Sequence, residues 1–168
     1  WTLACEVADP ADRWTVTRRA CDEWLRVGRL DEIERLVAEA EQIAPRTFDT
    51  YRWELMRAQL LVDQRRSGAA LVTIEAAFDR FPHMPLDYRC WFTGLRAAAK
   101  AWMFDIEAAL ADAEQAIDLG VQAGVTVEPA KLIRGSIRLL SGDPRWGGDL
   151  ASVLERAADD DPPVAMEA

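Results

Sequence analysis

Apolar residues recur at intervals of three and four through most of this chain, the spacing that gathers them on one face of an α-helix. The first run holds Trp14, Val16, Ala20, Trp24, Leu25 and Val27, after start signals at Asp9-Pro10 and Asp12. Gly28 stands where a C′ glycine ends a helix, and Asp31 opens a second run through Ile33, Leu36, Val37, Ala40 and Ile43 to Pro45. Thr47 or Asp49 caps a third, running from Tyr51 through Trp53, Leu55, Met56, Ala58, Leu60 and Leu61 to Val62, before Ser67-Gly68 turns the chain. Its partner carries Leu71, Ile74, Ala77, Phe78 and Phe81, and Pro82 and Pro85 then break it. A fifth helix starts near Asp87 and includes Trp91, Phe92, Leu95, Ala98 and Trp102, with a turn near Phe104-Asp105. A sixth holds Ile106, Ala109, Leu110, Ala113, Ala116, Ile117 and Leu119. The last pair runs from Glu128-Pro129 to Leu140, turns through Ser141-Gly142-Asp143-Pro144 with Trp146-Gly147-Gly148 inserted at the turn, and finishes at Leu150, Val153, Leu154 and Ala157. No stretch keeps the period-two alternation of a half-buried strand. The pattern predicts an all-α protein of about eight helices, paired into hairpins over residues 12–46, 47–84, 86–121 and 128–162 of a single domain spanning 1–168.

A second pattern is laid over the first. A small or aliphatic residue is followed seven places on by alanine and five further on by proline: Ile33, Ala40 and Pro45; Ala70, Ala77 and Pro82; Leu150, Ala157 and Pro162. Ala109 and Ala116 form another such pair, with Val121 in the proline's place. The first positions lie 37, 39 and 41 residues apart, so the period lengthens toward the C-terminus. Small residues two turns apart let a neighbouring helix approach closely, and proline stops the helix that carries them. Self-similarity at such a period marks stacked helical hairpins.

These offsets, with Gly28-Arg29-Leu30-Asp31-Glu32-Ile33 before a second helix and Ala20 and Trp24 on the first, resemble the tetratricopeptide repeat. The resemblance covers roughly residues 12–162 and implies a right-handed α-solenoid of about four helix-turn-helix units, with a HEAT-like array as the alternative. It further implies a concave surface lined by the first helix of each unit. The ligand-facing places of that family fall on Arg18, Asp22 and Arg26, on Arg52 and Gln59, and on Trp91 and Trp102. The stretch Glu107 to Ala116 is also similar to helical-repeat regions of large bacterial signalling ATPases and LuxR-type regulators.

Composition narrows the picture. Half of the 168 residues are hydrophobic, enough for a sizeable core. The net charge of −9 disfavours a phosphate-tracking surface, so direct nucleic-acid binding is not expected. Cys5, Cys21 and Cys90 share no disulfide-like or metal-like spacing and read as reduced thiols of a cytoplasmic protein. No apolar run reaches the roughly 20 residues that span a bilayer, and no basic segment leads into an apolar signal core. Trp1 in place of a methionine, and the closing Asp159-Asp160-Asp161-Pro162-Pro163, suggest a piece cut from a longer array.

Candidate chemistry is sparse. His83, the only histidine, sits between Pro82 and Pro85 with no second ligand nearby in sequence, so no metal and no cofactor are expected. Neither a nucleophile motif nor a glycine-rich phosphate loop is present. Arg18, Asp22 and Arg26 share one helix face, as an ion-pair ladder or as part of a groove. Trp91, Gly94, Ala98 and Trp102 form a stripe of two large rings around a small floor, suited to an apolar side chain of a ligand unless the rings are core. The expected function is a non-catalytic protein- or peptide-binding scaffold, with self-association compatible with the fold. The alternative is a small-molecule or short-peptide sensor domain of a bacterial transcriptional regulator.

Overall fold

In the computed structural model, residues 50–160 are described, together with Ala20, Asp31, Glu32 and Arg35. Those four are helical and Ala20 is fully buried; the remainder of the hairpin expected over 12–46 lies outside the described residues. Six helices follow: α1 (Thr50–Asp63), α2 (Ser67–Arg80), α3 (Leu86–Trp102), α4 (Ile106–Ala123), α5 (Glu128–Ser141) and α6 (Trp146–Asp160). Among the described residues there is no strand. Each helix packs on the next in sequence, and α3 packs in addition on α1 and on α5.

The alanine pairs explain how closely these helices meet. Ala70 and Ala77 of α2 are 0% and 1% exposed, and Ala109 and Ala116 of α4 are both 0% exposed. With only a methyl at these sites, the facing backbones approach without opening a void. Around α2 the core gathers Ala58, Leu61, Val62, Ile74, Met84, Phe92 and Leu95, with Phe78, Phe81 and Tyr88 at its margin. A second cluster unites Ala97, Ala109, Ala113 and Ile137 with Ala101, Ile106, Leu110 and Ile133. Between α3 and α4 the Cys90 thiol is buried and donates to the Ala116 carbonyl at 3.2 Å. Burial, and secondarily the charge of Asp87, pushes that thiol up from its ordinary value.

The turns inside the last two hairpins fall where expected, at Phe104-Asp105 and through Gly142-Asp143-Pro144, but the turn expected at Ser67-Gly68 and the insertion expected at Trp146-Gly147-Gly148 do not. Ser67 and Gly68 open α2, and the turn is Gln64-Arg65-Arg66, with Arg65 left-handed at φ 60°. Trp146, Gly147 and Gly148 are the first residues of α6 and not an insertion in the turn. The reason is a common closure. Each first helix ends with a residue in the left-handed region, Arg65, Phe104 or Gly142, at φ 60°, 61° and 74°. The Arg65 amide donates to the Val62 carbonyl and the Arg66 amide to Leu61, at 3.0 and 2.8 Å. Phe104 and Asp105 donate likewise to Ala101 and Lys100, and Gly142 and Asp143 to Leu139 and Arg138. These paired bonds satisfy the last carbonyls of the helix, whichever side chain occupies the left-handed site.

An ionic clamp is built on the same frame. Arg96 of α3 grips Asp112 of α4 with two hydrogen bonds, of 2.9 and 2.8 Å, and Lys100 reaches the same carboxylate at 2.7 Å. In the next hairpin Arg134 of α5 grips Asp149 of α6 at 3.0 and 2.5 Å, and Arg138 adds a bond of 2.8 Å. Both carboxylates are deeply buried, with side chains 8% and 7% exposed. Each clamp also reaches back to the preceding second helix, Arg96 to Glu75 at 3.1 Å and Arg138 to Glu114 at 3.4 Å. Arg96 and Arg134 are 38 residues apart, Lys100 and Arg138 also 38, Asp112 and Asp149 37. The turn residues Arg65, Phe104 and Gly142 are 39 and 38 apart. The spacing therefore does not stretch to 41 in the last hairpin. Leu150 follows Asp149 as Ala113 follows Asp112, which sets Leu150 four places out of register with Ala109.

Candidate binding surface

The first helices α1, α3 and α5, packed in that order, present their C-terminal ends side by side, and the left-handed turn residues give the register between them. Two places before each turn residue stand Asp63, Trp102 and Leu140, all exposed. One helical turn earlier stand Gln59, Ala98 and Ser136, and thirteen places before the turn Arg52, Trp91 and Pro129. Gln59 and Trp102, expected at the ligand face, thus fall on neighbouring rows of one surface, and Arg52 and Trp91 on a single row. Arg18, Asp22 and Arg26 lie outside the described residues, and of Arg52 only the backbone placement in α1 is described.

Two local arrangements organise this surface. The Gln59 amide donates to both carboxylate oxygens of Asp63 at 3.1 Å. Partial burial pushes the Asp63 carboxyl up from its ordinary value, against the opposing pull of the Gln59 hydrogen bond and the Arg65 charge. Arg65, held out by its left-handed backbone, lays its guanidinium over the Trp102 ring 3.3 Å from the centroid. Polar α1 and aromatic α3 are thereby joined at the turn end, with Trp102 still 47% exposed.

Trp91 has other company. It meets Tyr88 edge to face at 4.9 Å; Tyr88 meets Tyr51 at 4.6 Å, and Tyr51 meets Phe81 at 5.9 Å. The two tryptophans are eleven residues apart on α3, a rise of about 16 Å, so they are not opposite walls of one small pocket. Gly94 is not a floor between them either. A Cβ built on it would lie 3.9 Å from Ile133 and 4.0 Å from Ala116, so it faces α5 and α4 inside the fold. Neither ring is core: Trp91 is 36% exposed.

The most deeply buried ion pairs among the described residues, those of Asp112 and Asp149, lie between the two helices of their hairpins. Burial pushes the Asp149 carboxyl up, but the Arg134 hydrogen bond and the Arg134 and Arg138 charges outweigh it and hold the group below the ordinary carboxylate range. Asp143, half-buried, is brought down to about 2 by its hydrogen bonds from Arg145. A carboxylate so engaged is a poor proton acceptor at neutral pH. No group of three or more potential ligands able to hold a metal occurs among the described residues, where His83 is an exposed loop residue.

Asp63 and Arg65, absent from the expected set, are the polar half of the surface. They are found once the turn is placed at Arg65 instead of at Gly68. The clamps had a sequence signal too: a cation pair four residues apart, followed by aspartate 15 or 16 residues after its first member, as Arg134 and Arg138 precede Asp149 and Arg96 and Lys100 precede Asp112. Fold and surface together define, over the described residues, an all-helical set of packed hairpins with a polar and aromatic face. No family model matches the chain, and neither a curated protein nor a solved structure matches it. No helix among the described residues is long and apolar enough to cross a membrane.

Proposed function

We propose that this chain is a non-catalytic scaffold in the cytoplasm that binds an extended peptide or protein segment across α1, α3 and α5, as a regulatory or assembly module. In this proposal the hairpins form a right-handed, tetratricopeptide-like array with the first helices on its concave side. The observation that carries it is the row structure: exposed side chains recur two places before three like turns, Asp63, Trp102 and Leu140, and they differ in chemistry from helix to helix. An extended chain crossing the rows meets the Gln59 and Asp63 pair on α1, the Trp102 ring under Arg65 on α3, and Ser136 and Leu140 on α5. A polar residue followed by an apolar or aromatic one fits that sequence of sites, main-chain groups being met by Gln59 and Ser136.

The test is selection from a random peptide library on the immobilised full chain, followed by titration of the selected peptides. Trp102→Ala and Gln59→Ala are each expected to weaken binding about tenfold or more, in keeping with the loss of a central aromatic or hydrogen-bonding anchor. Selected peptides that bind both variants as tightly as the parent would refute this surface.

A further inference from the structure

Repetition within the molecule shows what one of its open faces is built to hold. In the α3/α4 hairpin, Gly94 and Ala101 look toward α5: Ile133 lies 3.9 Å from where a Gly94 Cβ would be, and Ala101 packs in one cluster with Ile133 and Ile137. Counted from the clamp arginine, Leu132 precedes Arg134 by two places as Gly94 precedes Arg96, and Leu139 follows Arg134 by five as Ala101 follows Arg96. On the second helices, Leu154 stands five places after Asp149 as Ile117 stands five after Asp112. The three positions of the α3/α4 hairpin are buried or half-buried. Their counterparts Leu132, Leu139 and Leu154 are 48%, 51% and 70% exposed. An apolar surface shut by a helix on one hairpin is open, and more apolar, on the next.

We propose that this outer face of α5 and α6 is a docking site for an amphipathic helix of a partner that carries two aliphatic residues four places apart, as α5 presents Ile133 and Ile137 to α3. It adjoins the row surface at Ser136 and Leu140 of α5, but it is built from Leu132, Leu139 and Leu154 and needs no occupant on the rows. The internal interface also fixes the electrostatics. Where α5 docks, Arg138 reaches back to Glu114, two places after Asp112; the residue two places after Asp149 is Ala151. The docked helix is thus held by apolar contact without an ion pair of that kind.

The probe is a fluorescent peptide of residues 128–141 carrying Leu132→Lys and Ser136→Glu joined by a lactam bridge, which locks the helix through positions exposed in the chain. Titrated with the full chain and followed by anisotropy, it is expected to bind saturably, to lose about tenfold in affinity against Leu139→Gln or Leu132→Gln, and to lose nothing against Val72→Gln on the exposed side of α2. A peptide that also carries Ile133→Gln and Ile137→Gln is expected not to bind. Thermal unfolding of each variant, expected unchanged at these exposed sites, separates loss of docking from loss of fold. No saturable binding, equal weakening by Val72→Gln, or equal binding of the peptide without its aliphatic pair would overturn the proposal. So would sedimentation showing that the chain alone self-associates through Leu139, for the occupant would then be a second copy.

Discussion

The α3/α4 and α5/α6 hairpins share a clamp and a turn and distribute their small residues in opposite ways. The first puts glycine and alanine along the helix interface, at Gly94, Ala97 and Ala101, and a bulky Phe104, 85% exposed, in the left-handed turn. The second puts glycine in the turn at Gly142, leucines at the outer positions 132 and 139, and a glycine at 135, where the first has Ala97. The invariant parts are backbone closure and buried charge; the side chains around them vary with what each hairpin must cover. Small residues appear where another helix lies close, as at Gly94 under Ile133, and leucines where the face is open.

If the two clamps are equivalent, removing either carboxylate strands buried cations. Asp149→Ala and Asp112→Ala are each expected to cost about 3 kcal/mol in chemical denaturation, with Asp149 the larger loss because the Arg138 side chain is 10% exposed against 23% for Lys100. A loss below about 1 kcal/mol at Asp149 would break the equivalence. Next in size, Gly135→Ala sharpens the difference in packing. The added methyl would lie 2.9 Å from Leu150 Cδ2 and 3.1 Å from Asp149 Cβ, and its crowding is expected to cost about 1–3 kcal/mol in the same measurement. The smallest effect concerns the turns. Phe104→Gly is expected to raise stability by about 1 kcal/mol and Gly142→Ala to lower it by about as much, read as opposite shifts of the thermal midpoint, because only glycine occupies the left-handed region without steric cost.

Much of the fold was legible because burial of an amphipathic face repeats with the helical period. The runs Tyr51 to Val62, Trp91 to Trp102 and Ile106 to Leu119 all fall within helices, and Ala70, Ala77, Ala109 and Ala116 are buried as their spacing requires. What misled were glycines. Gly68, Gly147 and Gly148 signal turns by composition, yet each lies in the first turn of a helix, while Arg65 and Phe104 occupy the left-handed sites against their intrinsic preference. Tertiary packing of the hairpin outweighs a local penalty of about 1–2 kcal/mol, and no single-residue preference reveals that. The surface was legible only in part. Gln59 and Trp102 fall on neighbouring rows, but Asp63 and Arg65 emerge only after the turn is located, and Gly94 faces inward because the helix phase is set by α4 and α5.

The buried Cys90 thiol gives this protein a built-in clock. Its sulfur is shut between α3 and α4, hydrogen-bonded to the Ala116 carbonyl, and disinclined to ionise, so a thiol reagent reaches it only while the two helices stand apart. The rate at which Cys90 is modified, divided by the rate for a free thiol under the same conditions, is therefore the fraction of time the hairpin spends open. Followed residue by residue by mass spectrometry, it would time the breathing of one seam without any label being engineered into the chain.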